Sequence, residues 1–302
     1  MNNWREKARQ ELAGIRMTPD YPMSELTTFK IGGPLDLLIE PSDITQLERA
    51  IAFCSHENVP WIVVGLGSNL LVRDKGVRGA GIRLIGEFLQ WQSDGTRVSA
   101  GAGVSLADLA RGTAELGLAG LEFACGIPGS VGGAVFMNAS AYDGEISQVL
   151  TAAEAYRPGL GLARFTAAEL KLGYRFSRFH EESAVISQAE FALRPADRGS
   201  IAARITDLTC QRQAKQPLEL PSAGSTFRRP AGHYVGPLIE KAGLKGYAIG
   251  GAQVSLKHAG FIVNTGNASA ADVLGLIDHI QRVIRDNDGV DLILEVRVIG
   301  EE

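Results

Sequence analysis

The sequence predicts an α+β fold, and three observations carry that expectation. Short apolar runs of strand length recur along the chain, as at Trp61–Val64, Val149–Tyr156 and Val185–Phe191. Long helices are few beside the many short strands, the pattern of the α+β class. Glycines number 36 among 302 residues, above the usual ~7 %. They cluster at strand ends and do not repeat, the mark of backbone-built turns or ligand sites rather than of low-complexity sequence.

In chain order, Trp4 to Ile15 reads as a short amphipathic helix. A β-prone run from Leu26 closes at Gly32, Gly33 and Pro34, and Leu35 to Glu40 follows as a strand. Pro41-Ser-Asp43 opens a helix from Ile44 to His56, with Ile44, Leu47, Ile51 and Cys54 along one face. Trp61-Ile-Val-Val64 is continuously apolar, as a buried strand would be. Strand-like pieces follow at Gly81–Leu84, Phe88–Gln92 and Arg97–Gly101, then a helix from Ser105 to Leu116. After the strands Val149–Tyr156 and Val185–Phe191, the polar break Pro195–Gly199 marks the expected domain boundary. A helix from Ile201 to Lys215 opens the second part, and a loop bracketed by Pro217 and Pro221 leads to a short helix, Val235–Ala242, closed by Gly243. A glycine- and β-rich segment from Gly246 to Val263, a helix from Ala270 to Arg285 and a last strand, Leu292–Ile299, complete the chain. The expected division is a lead-in over residues 1–26, a first domain over 27–198 and a second over 199–302, its last strand returning toward the active site.

Two glycine turns stand out. Phe123–Asn138 carries no charge and contains Gly126, Pro128, Gly129, Gly132 and Gly133, with Ser130 among them and the apolar run Ala134-Val-Phe-Met137 behind. Such a stretch is a tight core turn or a loop whose N–H groups approach a ligand, with a buried strand after it; uncharged glycines suit a diphosphate held by backbone dipoles. The second turn, Gly65-Leu-Gly-Ser-Asn69, lacks the third glycine of G-x-G-x-x-G and the Gly-Lys-Ser/Thr ending of a Walker loop.

Composition excludes several classes. The 30 basic and 34 acidic residues nearly cancel, so non-specific nucleic-acid binding is not expected. Cys54, Cys125 and Cys210 lie far apart with no Cys-x-x-Cys, which points to a reducing compartment and to no zinc site or disulfide framework. The five histidines show no metal-ligand spacing, and no metal is expected. The N-terminus is too charged for a signal peptide, and the uncharged stretch around Gly126 is too rich in glycine for a membrane helix, so a soluble, cytoplasmic protein is expected; a monomer, or a weakly associated one, is the accompanying expectation. On residue types alone, Arg175 and Ser177 share a side if Tyr174–Arg178 is extended, and Glu295 and Arg297 share a face of the last strand.

Taken together, the motifs resemble one family. Gly65-Leu-Gly-Ser-Asn-Leu70, Gly126-Ile-Pro-Gly-Ser-Val-Gly-Gly-Ala134 with Met137-Asn138, Tyr174-Arg-Phe-Ser177 and Pro221-Ser-Ala-Gly-Ser-Thr-Phe227 occur in order. Gly243-Leu-Lys-Gly246, His258-Ala-Gly-Phe-Ile-Val-Asn264 and Glu295-Val-Arg297 complete the series. The set is similar to the UDP-N-acetylenolpyruvoylglucosamine reductases (MurB) of peptidoglycan precursor synthesis, and the short interval between Arg175 and Ser225 resembles the compact subtype.

The resemblance implies a PCMH-type (vanillyl-alcohol-oxidase-like) FAD-binding domain of two subdomains, followed by an α+β substrate-binding domain. It implies non-covalent FAD held by Gly65, Leu66, Gly67, Ser68, Asn69 and Leu70 and by Gly126, Ile127, Pro128, Gly129, Ser130, Gly132, Gly133 and Ala134. NADPH would be the reductant and a UDP-sugar the substrate, its enolpyruvyl group being reduced to give UDP-N-acetylmuramate. Arg175 would stabilise the charge that builds on the substrate carboxylate, Ser225 would deliver the proton, and Glu295 would assist either by carrying a proton and donating it or by positioning a group that does. Tyr174 would contact the substrate, and Lys215, Arg229 and Arg297 its phosphate or carboxylate.

Overall fold

The structure, a computed structural model, describes residues 4–302; residues 1–3 of the expected lead-in lie outside them. The chain forms two compact units, and neither is continuous in sequence. The first comprises Met1–Pro19, Leu37–Leu66 and Gly79–Gln211; the second comprises Asp20–Asp36, Gly67–Arg78 and Arg212–Glu302. The units therefore divide differently from the expected boundary at 198/199. The helix expected to open the second part starts at Arg198, and its residues through Gln211 belong to the first unit.

Seven α-helices are present among the described residues: α1 (Trp4–Glu11), α2 (Ile44–His56), α3 (Leu106–Glu115), α4 (Val131–Met137), α5 (Arg198–Lys215), α6 (Val235–Lys241) and α7 (Ala270–Asp288). Their starts follow local chemistry. Asp43 accepts from the Gln46 N–H at the head of α2, and Ser105 accepts from the Asp108 N–H at the head of α3, caps that each contribute about 1 kcal/mol. Gly289, at φ 65°, ends α7 in the left-handed conformation that glycine reaches without steric cost.

The first unit is built on a five-stranded antiparallel sheet ordered Gly161–Thr166, Leu150–Arg157, Val185–Ala192, Arg97–Gly101, Trp91–Asp94. Its core gathers buried residues of α2, α3 and α4 with the sheet, among them Leu47, Ile51, Leu109, Val135 and Phe191. The expected strand at Trp61 forms over Trp61–Val63 and pairs in parallel with Ala80–Ile82. It is not buried, however: Val63 is 41 % exposed. A continuous apolar run predicts burial only where both faces of the sheet are covered.

The second unit contains a four-stranded sheet ordered Ser222–Ser225, Phe261–Asn264, Ala252–Val254, Ala248–Ile249. Helix α7 lays the fully buried Val273, Ile277, Ile280 and Ile284 on this unit's core at helical spacing, each worth about 1.5–3 kcal/mol of burial. Its N-terminus is gripped twice. Ser269 and Asp272 form a capping box, and Asp74 accepts from the Ala270 and Ala271 N–H groups at 2.8 and 2.9 Å. The last strand is shorter than expected. Only Arg297–Ile299 is extended, paired in parallel with Leu70–Val72, and Leu294 makes a lone bridge to Phe227. The alternation argument that put Glu295 and Arg297 on one face therefore does not apply.

Candidate active site

In the first unit the two glycine turns abut. A Cβ added to Gly65 would stand 2.6 Å from Ser130 Oγ, so any larger residue there must displace the Ser130 hydroxyl for the end of the Trp61–Val63 strand to lie against the Phe123–Asn138 stretch. Ser130 is the N-cap of α4, its Oγ accepting from the Gly133 N–H at 3.2 Å. This helix replaces the strand expected after the glycines. Its first N–H groups are consumed inside the chain: Val131 donates to Val104 O and Gly132 to Ala102 O, both at 2.8 Å. A Cβ at Gly132 would meet the Ala102 Cβ at 2.8 Å, so that glycine serves packing.

Gly132 and Gly133 therefore offer no N–H to a ligand. The N–H groups of Gly126, Gly129 and Ser130, by contrast, find no acceptor among the described residues, and Ser130 is 4 % exposed. A buried N–H left unpaired costs about 1–3 kcal/mol. An anionic group resting on these dipoles would satisfy them, as in a backbone nest. The turn thus fits the diphosphate of a dinucleotide cofactor, through fewer residues than the whole glycine run. Gly65→Ala should push the Ser130 hydroxyl aside and lower the flavin-to-protein absorbance ratio of the purified protein severalfold; an unchanged ratio would show that this approach does not matter for the cofactor.

Arg175 lies in the same unit, in a tight turn rather than an extended strand. Gly173 and Phe176 exchange both backbone hydrogen bonds, at 3.0 and 3.1 Å, and Arg175 takes φ 54° between them. Its Nη1 donates to Ser140 Oγ at 2.7 Å, and its guanidinium carbon is 5.2 Å from the ring centroid of Tyr174, which is 55 % exposed. Ser177 does not share a side with Arg175: it is fully buried, and its hydroxyl donates to Phe136 O at 2.7 Å.

In the second unit the backbone of Glu295 is bonded to Thr226, the residue that follows Ser225. The pairing Ser222↔Val263 and Ser225↔Phe261 leaves one extra residue in the Ser222–Ser225 strand, a bulge taken up by Gly224 at φ 76°. The bulge re-aims Ser225, whose half-buried hydroxyl has no hydrogen bond among the described residues. The next residue, the buried Thr226, accepts the Glu295 N–H on its carbonyl at 2.9 Å. The Glu295 carbonyl in turn accepts from Asn69 Nδ2 at 3.2 Å, and Arg297 N–H donates to Asn69 O at 3.0 Å. The Asn69 side chain, predicted as a cofactor contact, thus holds the Glu295 backbone. Gly67 is glycine because a Cβ would collide with the Leu26 carbonyl.

The remaining predicted residues are less organised. Arg229 lays its guanidinium 3.8 Å from the ring centroid of Tyr234. Lys215 sits exposed in the last turn of α5, with no ion pair or hydrogen bond among the described residues. Thr226 and Asn138 were missed by the sequence reading. Both sit inside quoted motifs, and only the fold shows what they hold. Burial raises the Cys54 thiol to about 12 and leaves it inert, while Cys125 is a buried filler with Sγ 3.8 Å from Thr209 Oγ1. Burial also lowers His258, whose Nδ1 accepts from the Gly260 N–H at 3.1 Å, so it is neutral with its proton on Nε2. No group of three or more His, Cys, Asp or Glu converges on a metal position among the described residues, and none of their helices is long and apolar enough to cross a membrane.

The chain is similar to known proteins along nearly its whole length. Residues 35–159 match a family described as an FAD binding domain, and residues 216–299 match the C-terminal domain of UDP-N-acetylenolpyruvoylglucosamine reductase. The chain is 48 % identical, over 95 % of its own length and 96 % of the relative's, to the UDP-N-acetylenolpyruvoylglucosamine reductase of Syntrophomonas wolfei. It is likewise 48 % identical to that of Clostridium beijerinckii, over 94 % and 93 % of the two chains. The crystal structure of the Thermus caldophilus reductase superposes with a TM-score of 0.82 at 36 % identity, covering 95 % of this chain and 99 % of that one. An α+β FAD-binding domain joined to this particular C-terminal domain, with such identity along nearly the whole length, places the chain in the UDP-N-acetylenolpyruvoylglucosamine reductase family of flavin-dependent oxidoreductases.

Proposed function

We propose that the protein catalyses the NADPH-dependent reduction of the enolpyruvyl group of UDP-N-acetyl-3-O-(1-carboxyvinyl)-glucosamine to UDP-N-acetylmuramate, a step in peptidoglycan precursor synthesis. The observation that carries this reading lies at Ser225 and Glu295: a half-buried hydroxyl with no partner among the described residues, and a glutamate whose N–H is bonded to the carbonyl of Thr226, the residue after Ser225, and whose own carbonyl is held by Asn69. Gly65, Gly126, Gly129 and Ser130 would hold the flavin diphosphate; Leu66, Gly67, Ser68, Leu70, Ile127, Pro128 and Ala134 are further proposed cofactor contacts. FAD, when bound, would supply the hydride-transfer chemistry between NADPH and the enolpyruvyl group.

The chain's own residues handle charge and protons. Hydride addition beside the substrate carboxylate builds enolate-like charge that is absent in the ground state. Donors aimed at that charge lower the barrier selectively. Arg175 carries a permanent positive charge and forked donors suited to a carboxylate, and Glu295 assists as a donor. Ser225 gives its proton to the neighbouring carbon; a hydroxyl is a weak acid toward water but competent toward a carbanion within hydrogen-bond distance. Tyr174, Lys215, Arg229 and Arg297 are proposed contacts to the sugar nucleotide. The test is anaerobic. NADPH should bleach the flavin of the purified protein, and the enolpyruvyl sugar nucleotide should restore its colour with stoichiometric formation of UDP-N-acetylmuramate. Failure of the sugar nucleotide to reoxidise the flavin would overturn the reading.

A further inference from the structure

We infer that Asn138 is a positioning residue for Arg175, fixing the turn that presents the guanidinium. The inference rests on the role proposed for Arg175 and adds the device that holds it. Asn138 is the C-cap of α4, 2 % exposed and itself left-handed at φ 42°. Its side chain makes two bonds of opposite sense. Nδ2 donates to the Gly173 carbonyl at 3.1 Å, and Oδ1 accepts from the Ser147 N–H at 2.9 Å.

Gly173 is the first residue of the turn whose third is Arg175, and it pairs with Phe176 through both backbone bonds. Holding the Gly173 peptide therefore orients the whole turn. The other end is fastened to the same helix, because the Ser177 hydroxyl donates to Phe136 O. Arg175 consequently hangs from the last turn of α4 by two side-chain bonds, made by the buried Asn138 and Ser177, while the first residue before α4, Ser130, touches Gly65. The short helix is a strut between the glycine turns and the arginine turn. Within this unit Arg175 Nη1 also reaches Ser140, two residues beyond Asn138, so the same segment steadies both the backbone and the guanidinium of Arg175. A left-handed arginine is costly to hold by backbone preference alone. The Asn138–Gly173 bond is a specific reason that it persists.

Two substitutions separate the two bonds. Asn138→Gly keeps the left-handed backbone and removes both. Asn138→Asp keeps the acceptor for Ser147 but has no donor for Gly173. The measurements are stopped-flow rates of both half-reactions on the flavin-loaded enzyme, substrate affinity from the flavin spectrum, and amide exchange at Ser147. Both variants should be bleached by NADPH within about twofold of the normal rate. Both should be reoxidised by the sugar nucleotide at least roughly tenfold more slowly, with substrate affinity little changed, the split expected when only transition-state charge is served. Ser147 exchange should accelerate in the glycine variant and stay protected in the aspartate variant.

The decisive comparison is the cycle with Arg175→Ala. If Asn138 works through Arg175, the Asn138→Asp, Arg175→Ala double variant should be reoxidised no more slowly than Arg175→Ala alone. Wild-type reoxidation in Asn138→Asp, or losses that multiply in the double variant, would overturn the inference while leaving the role of Arg175 standing. If Arg175→Ala itself is reoxidised normally, the role of Arg175 fails first and the inference falls with it. Should the glycine variant not retain flavin, the aspartate variant and its double carry the whole comparison.

Discussion

Ser225→Ala should leave NADPH-driven bleaching of the flavin near its normal rate and slow reoxidation by the enolpyruvyl sugar nucleotide roughly 10²–10⁴-fold, the range of a lost general acid. The asymmetry follows from chemistry. Flavin reduction by the nicotinamide needs no proton on a substrate carbon, whereas the second half-reaction stalls without one. It follows from structure as well. The bulge that aims position 225 is made by Gly224, and the neighbouring bonds belong to Thr226, which donates to Gly260 O and accepts from the Ile262 and Glu295 N–H groups. Because the Ser225 hydroxyl has no partner among the described residues, its removal orphans nothing and should cost little stability. Stopped-flow absorbance under anaerobic conditions measures both phases in one preparation. Equal slowing of the two would make Ser225 a structural residue and remove it from the proton path.

The sequence made local features legible and left long-range ones hidden. Helix α2 starts and ends where its Asp43 cap and apolar stripe say it should, and the strand Arg97–Gly101 matches its expected bounds, because both are set by neighbouring residues. The helix α4 was hidden for the opposite reason. Its apolar run Ala134–Met137 is too short to show a period. Its start depends on the Ser130 cap and on the fit of Gly132 against Ala102, distant in sequence. The unit division was equally illegible. Residues 20–36 and 67–78 belong with the C-terminal part, and the parallel pairing of Arg297–Ile299 with Leu70–Val72 has no local signature. At the site, the family motifs named Ser225, Glu295 and Arg175, but not the groups that hold them. The Asn69–Glu295 bond spans 226 positions and the Asn138–Gly173 bond spans 35. A motif read one segment at a time shows neither that Asn69 holds the Glu295 backbone nor that Asn138 holds Gly173.

Glu295 offers the second large effect, and a pair of substitutions shows what kind of group it is. Glu295→Ala should slow reoxidation by roughly 10²–10³-fold, the usual loss when one donor to developing charge is removed. Glu295→Gln keeps the length of the side chain and an N–H donor but cannot titrate. If Glu295 works as a hydrogen-bond donor to the substrate, the glutamine form should recover to within about tenfold of wild type; if it moves a proton, glutamine should be as poor as alanine. The backbone makes this comparison clean. Glu295 is held through its own N–H by Thr226 O and through its carbonyl by Asn69 Nδ2, neither of which involves the side chain being changed. Rigid main-chain bonds also account for an expected insensitivity: flavin content should be the same in both variants. A drop in flavin content in the alanine form alone would mean that the carboxyl supports the fold of this unit. Its slowed reoxidation would then reflect a loosened segment rather than a missing donor.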